Sequence, residues 1–301
     1  MQVIEHPVGR LRTALLSTRK DLIEAYKQFS GAEKTLLEEG LKPGSFGEGG
    51  VVAEQFVEWL KVYCQAFYYG LVVKLLPPVT VASTACTFRI NSNTHNLQLH
   101  AGELFDFLKK RKPKDAFCIV GITMIDLYPK ESWNFVFGQA SLTEGMGVFS
   151  FARYDDHFYE RNYAGRLKKT TKPKQGDYSV FQNYYTPPIT STLLLRSCKT
   201  VTHEIGHIFG VKHCQWLQCV MQGSNHLEES DRRPLDLCPV CLRKLQSSIG
   251  FKIADRYKAL LHWIEDGDDS TGQHSAKPTQ AFQEYRHWLH ECLKILEDET
   301  L

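Results

Sequence analysis

The sequence predicts an α/β fold, a mixed twisted sheet with helices in the N-terminal half followed by a helical C-terminal half. Three observations carry this. Strand-like runs fall before residue 155, led by the apolar, β-branched "AFCIVGITMIDL" (116–127). Helical patterns dominate after residue 190. Between them lies "TVTHEIGHIFGVKHCQWLQCVMQG" (200–223), which crowds three histidines, a glutamate, two cysteines and a methionine into one span.

Taken in order, residues 11–40 read as helical, with Leu15, Leu22, Ile23 and Tyr26 at helical spacing. "GLKPGSFGEGG" (40–50) is a breaker. "VVAEQFVEWLKVYCQAFYYG" (51–70) is an amphipathic helix stopped by Gly70, and "LVVKLL" (71–76) a strand ended by Pro77 and Pro78. "CTFRI" (86–90) is a short strand and "AGELFDFLKKRK" (101–112) a helix. The run at 116–127 reads as a central strand. "FVFGQAS" (135–141) and "VFSFARY" (148–154) are strands around "LTEGMG". Residues 155–188 form a long surface loop. A helix follows from Thr190 to Gly210, then helices in "CPVCLRKLQSS" (238–248) and "FKIADRYKALLHWIED" (251–266). A polar linker precedes a last helix, "AFQEYRHWLHECLKIL" (281–296). The expected organisation is a helical N-terminal extension and Gly-rich connection (1–50), a main domain that holds the histidine- and cysteine-rich span (51–266), and a flexible linker with a C-terminal helix (267–301).

The 301 residues suffice for a sizeable core, and the fractions of 43% hydrophobic and 23% charged residues are those of a globular protein. A net charge of +2 points to neither nucleic acid nor membrane as a partner. The longest apolar run, Phe117 to Ile125, is too short to span a bilayer. No secretory signal is evident, so the expected setting is intracellular, cytoplasmic with a nuclear alternative. "KKRKPK" (109–114) is the nuclear-import candidate, set against a basic helix end that complements the macrodipole. The nine cysteines, an odd number, argue for reduced thiols rather than a disulfide framework. Cys64, Cys86, Cys118, Cys198 and Cys292 stand singly among apolar neighbours and read as buried.

His203 and His207 are four apart on a helix, so both imidazoles face one metal. Glu204 is placed to take a proton from zinc-bound water. Gly210 can adopt positive φ and turn the chain so that His213 returns as third ligand. Three neutral imidazoles with an open fourth position are catalytic rather than structural zinc geometry. Cys214 and Cys219, with Cys238 and Cys241 in "CPVC", form a closed, structural thiolate set. Adjacent residues, His213 and Cys214, would then serve two zinc ions, and the second would order the loop that carries the third imidazole.

Met221 stands eight residues after His213. HExxHxxGxxH followed by this methionine resembles the metzincin clan, and the fused HC with later Cys-x-Met and CxxC resembles the archaemetzincin family. The resemblance implies a metzincin-like catalytic domain, zinc peptidase activity on peptide or protein substrates, two zinc ions, and Met221 as an apolar floor beneath the metal. It also implies a substrate-pairing edge strand, for which Val148, Phe149, Ser150 and Phe151 are the candidates. The family's domain opens with a strand before its first large helix, and "LKPGSFGEGG" holds no apolar strand. Either "QVIEH" supplies it or the chain is a shortened form lacking it, with a sheet edge exposed. Two alternatives remain: a zinc-stabilised, weakly active or inactive metzincin-fold binding protein, and a DNA-associated SprT-like protease. The early His213 and its fusion to Cys214 argue against the latter. Tyr184, Tyr185 and His226 read as loop, core or capping residues rather than ligands.

Overall fold

The computed structural model describes residues 35–42, 49–266 and 277–298, apart from Leu142, Lys172 and Asn183. A five-stranded sheet organises it. The strands are β1 (Thr35–Lys42), β2 (Val72–Thr80), β5 (Ala116–Thr123), β7 (Gly138–Ser141) and β8 (Met146–Ser150), in the order β2-β1-β5-β8-β7. All neighbours are parallel except β7, which pairs antiparallel with β8 at the edge. A second sheet joins β3 (Phe88–Ile90), β4 (Leu97–His100) and β6 (Asp126–Tyr128).

Period-two alternation assigns the faces of the main sheet. Cys118, Val120, Ile122 and Phe149 enter one core with α1 (Gly49–Phe67) and α3 (Ser191–Ile208). Ile119, Met146 and Val148 enter another with Leu104 and Leu108 of α2 (Ala101–Arg111). β5 is buried on both faces, as its unbroken apolar run requires. Helices α4 (Leu227–Arg232), α5 (Pro239–Ile249), α6 (Ile253–Glu265) and α7 (Gln283–Asp298) complete the C-terminal half. The first core continues through it: Met221, Cys219, Leu260, Trp263, Phe282 and Leu289 belong to the same cluster as Leu60 and Val201. A mixed α/β architecture with a helical second half is therefore present.

Three sequence readings change. A strand before the first large helix is not missing: Thr35–Lys42 fills the position between β2 and β5, in a segment whose spacing suggested helix. "QVIEH" lies outside the described residues, as does most of the 11–40 stretch. β2 does not stop at its prolines. It is an edge strand, and the register jumps from Glu39↔Leu76 to Leu41↔Val79, so a bulge absorbs Pro77 and Pro78 where no N–H is needed. Finally, Val148, Phe149 and Ser150 are not at an edge. They sit on β8 between β5 and β7, fully buried, and Phe151 lies just past its end; the edge belongs to Gly138–Ser141.

Elsewhere the single cysteines are buried, Cys292 only half so. Lys109, Lys110 and Arg111 occupy the last turn of α2, where cations complement the helix dipole. Among the described residues no helix is long and apolar enough to cross a membrane.

Candidate metal centres and active site

Helix α3 presents the first two imidazoles. Its N-cap Thr190 accepts a hydrogen bond from Leu193 N, and Leu193, Leu194, Cys198, Val201, Ile205 and Ile208 bury its apolar face. Tyr68, packed on Phe209, donates its hydroxyl to Thr202 O at 2.5 Å and fixes the helix just before the site. The helix ends at Ile208 with Phe209 as its cap, and Gly210 follows at φ 78°. Gly210 N bonds His207 O at 2.8 Å and Val211 N bonds Gly206 O at 3.0 Å, the paired bonds of a Schellman motif. A left-handed residue is obligatory there, which only glycine occupies without steric penalty.

The chain leaves that turn in a direction that returns His213 to the helix. His203 Nε2 lies 3.2 Å from His213 Nε2 and 3.0 Å from His207 Nε2. Two nitrogens bonded to one zinc at about 2.0–2.1 Å in tetrahedral arrangement stand roughly 3.4 Å apart, so the triad has the span that a zinc ion needs. The tautomers fit too. His203 Nδ1 lies 2.8 Å from Val220 O and His207 Nδ1 2.7 Å from Val211 O. A carbonyl only accepts, so His207 Nδ1 carries the proton and its Nε2 keeps its lone pair for a metal. At His203 the Val220 carbonyl shares Nδ1 with the Arg233 guanidinium. Burial lowers the pKa of His203, His207 and His213, with nearby Arg233 adding to the effect at each, so the imidazoles are neutral at pH 7.

Glu204 is half-buried beside this triad, and its carboxyl makes no hydrogen bond to a described residue. Loss of hydration pushes its carboxyl up to about 7, against the pull of the Arg233 guanidinium. Met221 is buried beneath. A Cβ on Gly206 would meet its Sδ at 2.6 Å, so the sulfur rests directly on the helix between the two histidines.

The Sγ atoms of Cys214, Cys219, Cys238 and Cys241 all lie within 4.8 Å of one another, a span that a single metal bonded to four thiolates would occupy. Cys219, Cys238 and Cys241 are buried; Cys214 is half-buried. Cys238 caps α5, and hydrogen bonds from the Cys219 and Cys241 thiols and the Cys241 amide draw its pKa far down, so one thiolate is already favoured. The two sets share a frame: Cys214 N donates to Met221 O at 2.8 Å, and Val220 N donates to Asp236 O at 2.8 Å.

Several contributors carried no readable sequence signal. Arg233 is buried, and its guanidinium donates to Gln222 O at 2.9 Å and Ser230 Oγ at 2.6 Å while lying 2.9 Å from His203 Nδ1. In "DRRP" nothing separates it from its exposed neighbour Arg232. Val211 O and Val220 O act through the backbone, invisible to residue type. Tyr184 instead donates to Met124 O and Tyr185 packs on Tyr163, while His226 is exposed near Glu229.

Residues 171–247 match the model of peptidase family M54. The chain is 49% identical to archaemetzincin-2 of Macaca fascicularis, across 99% of this chain and 100% of that one. The alignment runs to 359 positions against the 301 residues here, so the relative carries residues opposite gaps in this chain. Human archaemetzincin-1 is 41% identical over 67% of this chain and 41% of its own length. The crystal structure of archaemetzincin from Methanopyrus kandleri is 25% identical, with a TM-score of 0.48, covering 73% of this chain and 98% of that one.

Proposed function

We propose, on the premise that this chain belongs to the archaemetzincin family and is a zinc metallopeptidase, that Glu204 is its general base and that it holds two zinc ions. His203, His207 and His213 would hold the catalytic ion, and Cys214, Cys219, Cys238 and Cys241 the structural one. A zinc ion on the three imidazoles supplies Lewis acidity to a peptide carbonyl and to an attacking water.

The chain's own residues do the rest. Glu204, as carboxylate, takes a proton from water as the water oxygen bonds to the peptide carbonyl carbon. The same carboxyl then returns that proton to the departing nitrogen as the C–N bond breaks. Val211 holds His207 in the tautomer that leaves Nε2 free, and Val220 O lies against His203 Nδ1 and orients that ring. The edge strand β7 offers main-chain groups to an extended polypeptide, a role that passes here from β8.

The observation that carries the reading is the convergence of three Nε2 atoms beside one half-buried carboxyl. Unbiased peptide-library cleavage tests it, comparing the chain with its Glu204→Ala variant at equal zinc content. We expect the variant to lose at least a hundredfold in turnover while retaining two zincs per chain. Equal turnover in the two proteins would eliminate Glu204 as base, and a single zinc would eliminate the second site.

A further inference from the structure

We infer that the cavity beside His213 selects the substrate side chain next to the scissile bond, and that it takes a carboxylate or a carboxamide. The inference deepens the peptidase reading above and rests on it. The cavity has a volume of about 530 Å³, ample for one long side chain. One wall is the loop that carries His213 and Cys214. The other is the stretch after Met221, and α4 closes the floor. An occupant therefore touches the third metal ligand.

Both walls are fixed before any ligand arrives. Cys214 N to Met221 O, at 2.8 Å, ties one to the other. A Cβ on Gly223 would fall 3.0 Å from His213 Nδ1, so the second wall lies directly on the imidazole ring. Gln215 and Gln218 project from a four-residue loop whose ends are the thiols of Cys214 and Cys219.

The chemistry of the lining decides the occupant. Apart from the His213 imidazole, no aliphatic or aromatic side chain lines it. The side chains of Gln215, Gln218, Gln222 and Ser224 make no hydrogen bond to a described residue, so they are available. An apolar guest would strip water from these groups and return no hydrogen bond. The charges then favour an acceptor. Glu229 is already engaged, accepting from Asn225 N at 2.6 Å, and that bond holds its carboxyl below the usual glutamate range. Arg232 has only a 3.8 Å approach to Glu228, and Arg233 stands buried behind it. Among the lining residues the guanidiniums of Arg232 and Arg233 outnumber the Glu229 carboxylate, and the exposed Arg232 is the one that can turn to an occupant. That balance disfavours a lysine or arginine side chain and favours carboxylate and carboxamide oxygen.

The test reads residue preference around cleaved bonds in a proteome-derived peptide library, using the full zinc-loaded chain. We expect Glu, Asp, Gln or Asn enriched at one position adjoining the cut. Arg232→Glu should move that preference tenfold or more toward Lys and Arg, and Gln218→Leu should move it toward apolar residues. Apolar enrichment by the unaltered chain, or preferences unmoved by both substitutions, overturns the inference. Should the chain hold two zincs and cleave nothing, the peptidase reading fails separately. The cavity is then judged by titrating N-acetylglutamate amide, N-acetyl-lysine amide and N-acetyl-leucine amide into the zinc-loaded Glu204→Ala protein. Tenfold tighter binding of the glutamate derivative sustains the cavity's assignment; equal binding of the three removes it.

Discussion

The three imidazoles and the four thiols meet at one peptide bond, between His213 and Cys214, yet they are built on opposite plans. Two imidazoles ride on a packed helix and the third on an exposed loop, so the set is rigid on one side and open on the other. The thiols come from a loop and from the N-terminus of α5, and three of the four are buried. A site that must admit substrate cannot close around its metal; a site that only orders the chain can. The contrast explains their adjacency. Ordering the backbone of one residue costs about 1–2 kcal/mol, and the four-thiol set can meet that cost for the loop on which His213 depends.

Breaking the closed set should therefore have the larger effect. Cys241→Ser removes one of four ligands from a buried cluster, and structural zinc contributes on the order of 10 kcal/mol to folding where it has been measured in small domains. The expected outcome is one zinc lost per chain, a thermal midpoint more than ten degrees lower, and activity lost with the fold. Metal analysis and a thermal scan check this. A variant with both zincs, or with unaltered stability and activity, would mean that the thiols do not order the loop.

A finer comparison lies between the helix and the floor beneath it. Gly206→Ala adds one methyl where Met221 Sδ would be 2.6 Å away and Cε 3.0 Å. Overpacking costs about 1–3 kcal/mol, while alanine in a helix returns about 1 kcal/mol relative to glycine. Stability should fall by a few degrees at most. Activity should fall at least tenfold, because Met221 O holds Cys214 N and a displaced Met221 moves the His213 loop. If turnover follows stability alone, the sulfur is mere filling.

The two candidate ligand sets were legible because metal-site candidates are written in local spacing. Four residues on a helix place His203 and His207 together, and one glycine at φ 78° does the work of returning His213. The sheet was less legible. β1 pairs with partners more than 30 and 70 residues away, and its charged, Gly-containing "TLLEEGLK" takes strand form from the gap it fills rather than from its own pattern. β8 and β7 differ in sequence only by degree of apolarity, and which is the edge depends on β5, which pairs with β8 and not with β7. Arg233 was hidden for a similar reason, since burial separates it from Arg232 and burial is a property of the assembled chain.

The smallest expected effect tests how far the frame of the open set extends. Asp236 joins the two halves of the comparison: its carbonyl accepts from Val220 N, whose own carbonyl holds His203, and Cys238 lies two residues on. Its carboxylate accepts from Arg256 Nη2 at 2.8 Å and Nη1 at 3.1 Å, from Leu237 N at 2.7 Å, and from Tyr285 of α7 at 2.9 Å. Arg256 is itself pinned by Nε to Phe67 O at 2.8 Å, so two of the carboxylate's partners hold its position without the tyrosine. Tyr285→Phe should then cost about 1.5 kcal/mol, the value of one hydrogen bond to a charged group, and should leave zinc content intact and turnover within twofold. Denaturant midpoints and steady-state rates on the full chain separate the two quantities. A tenfold fall in turnover at unchanged stability would show instead that the C-terminal helix acts on His203 through Asp236 and Val220, and that the open set is held in place from both ends of the chain's helical half.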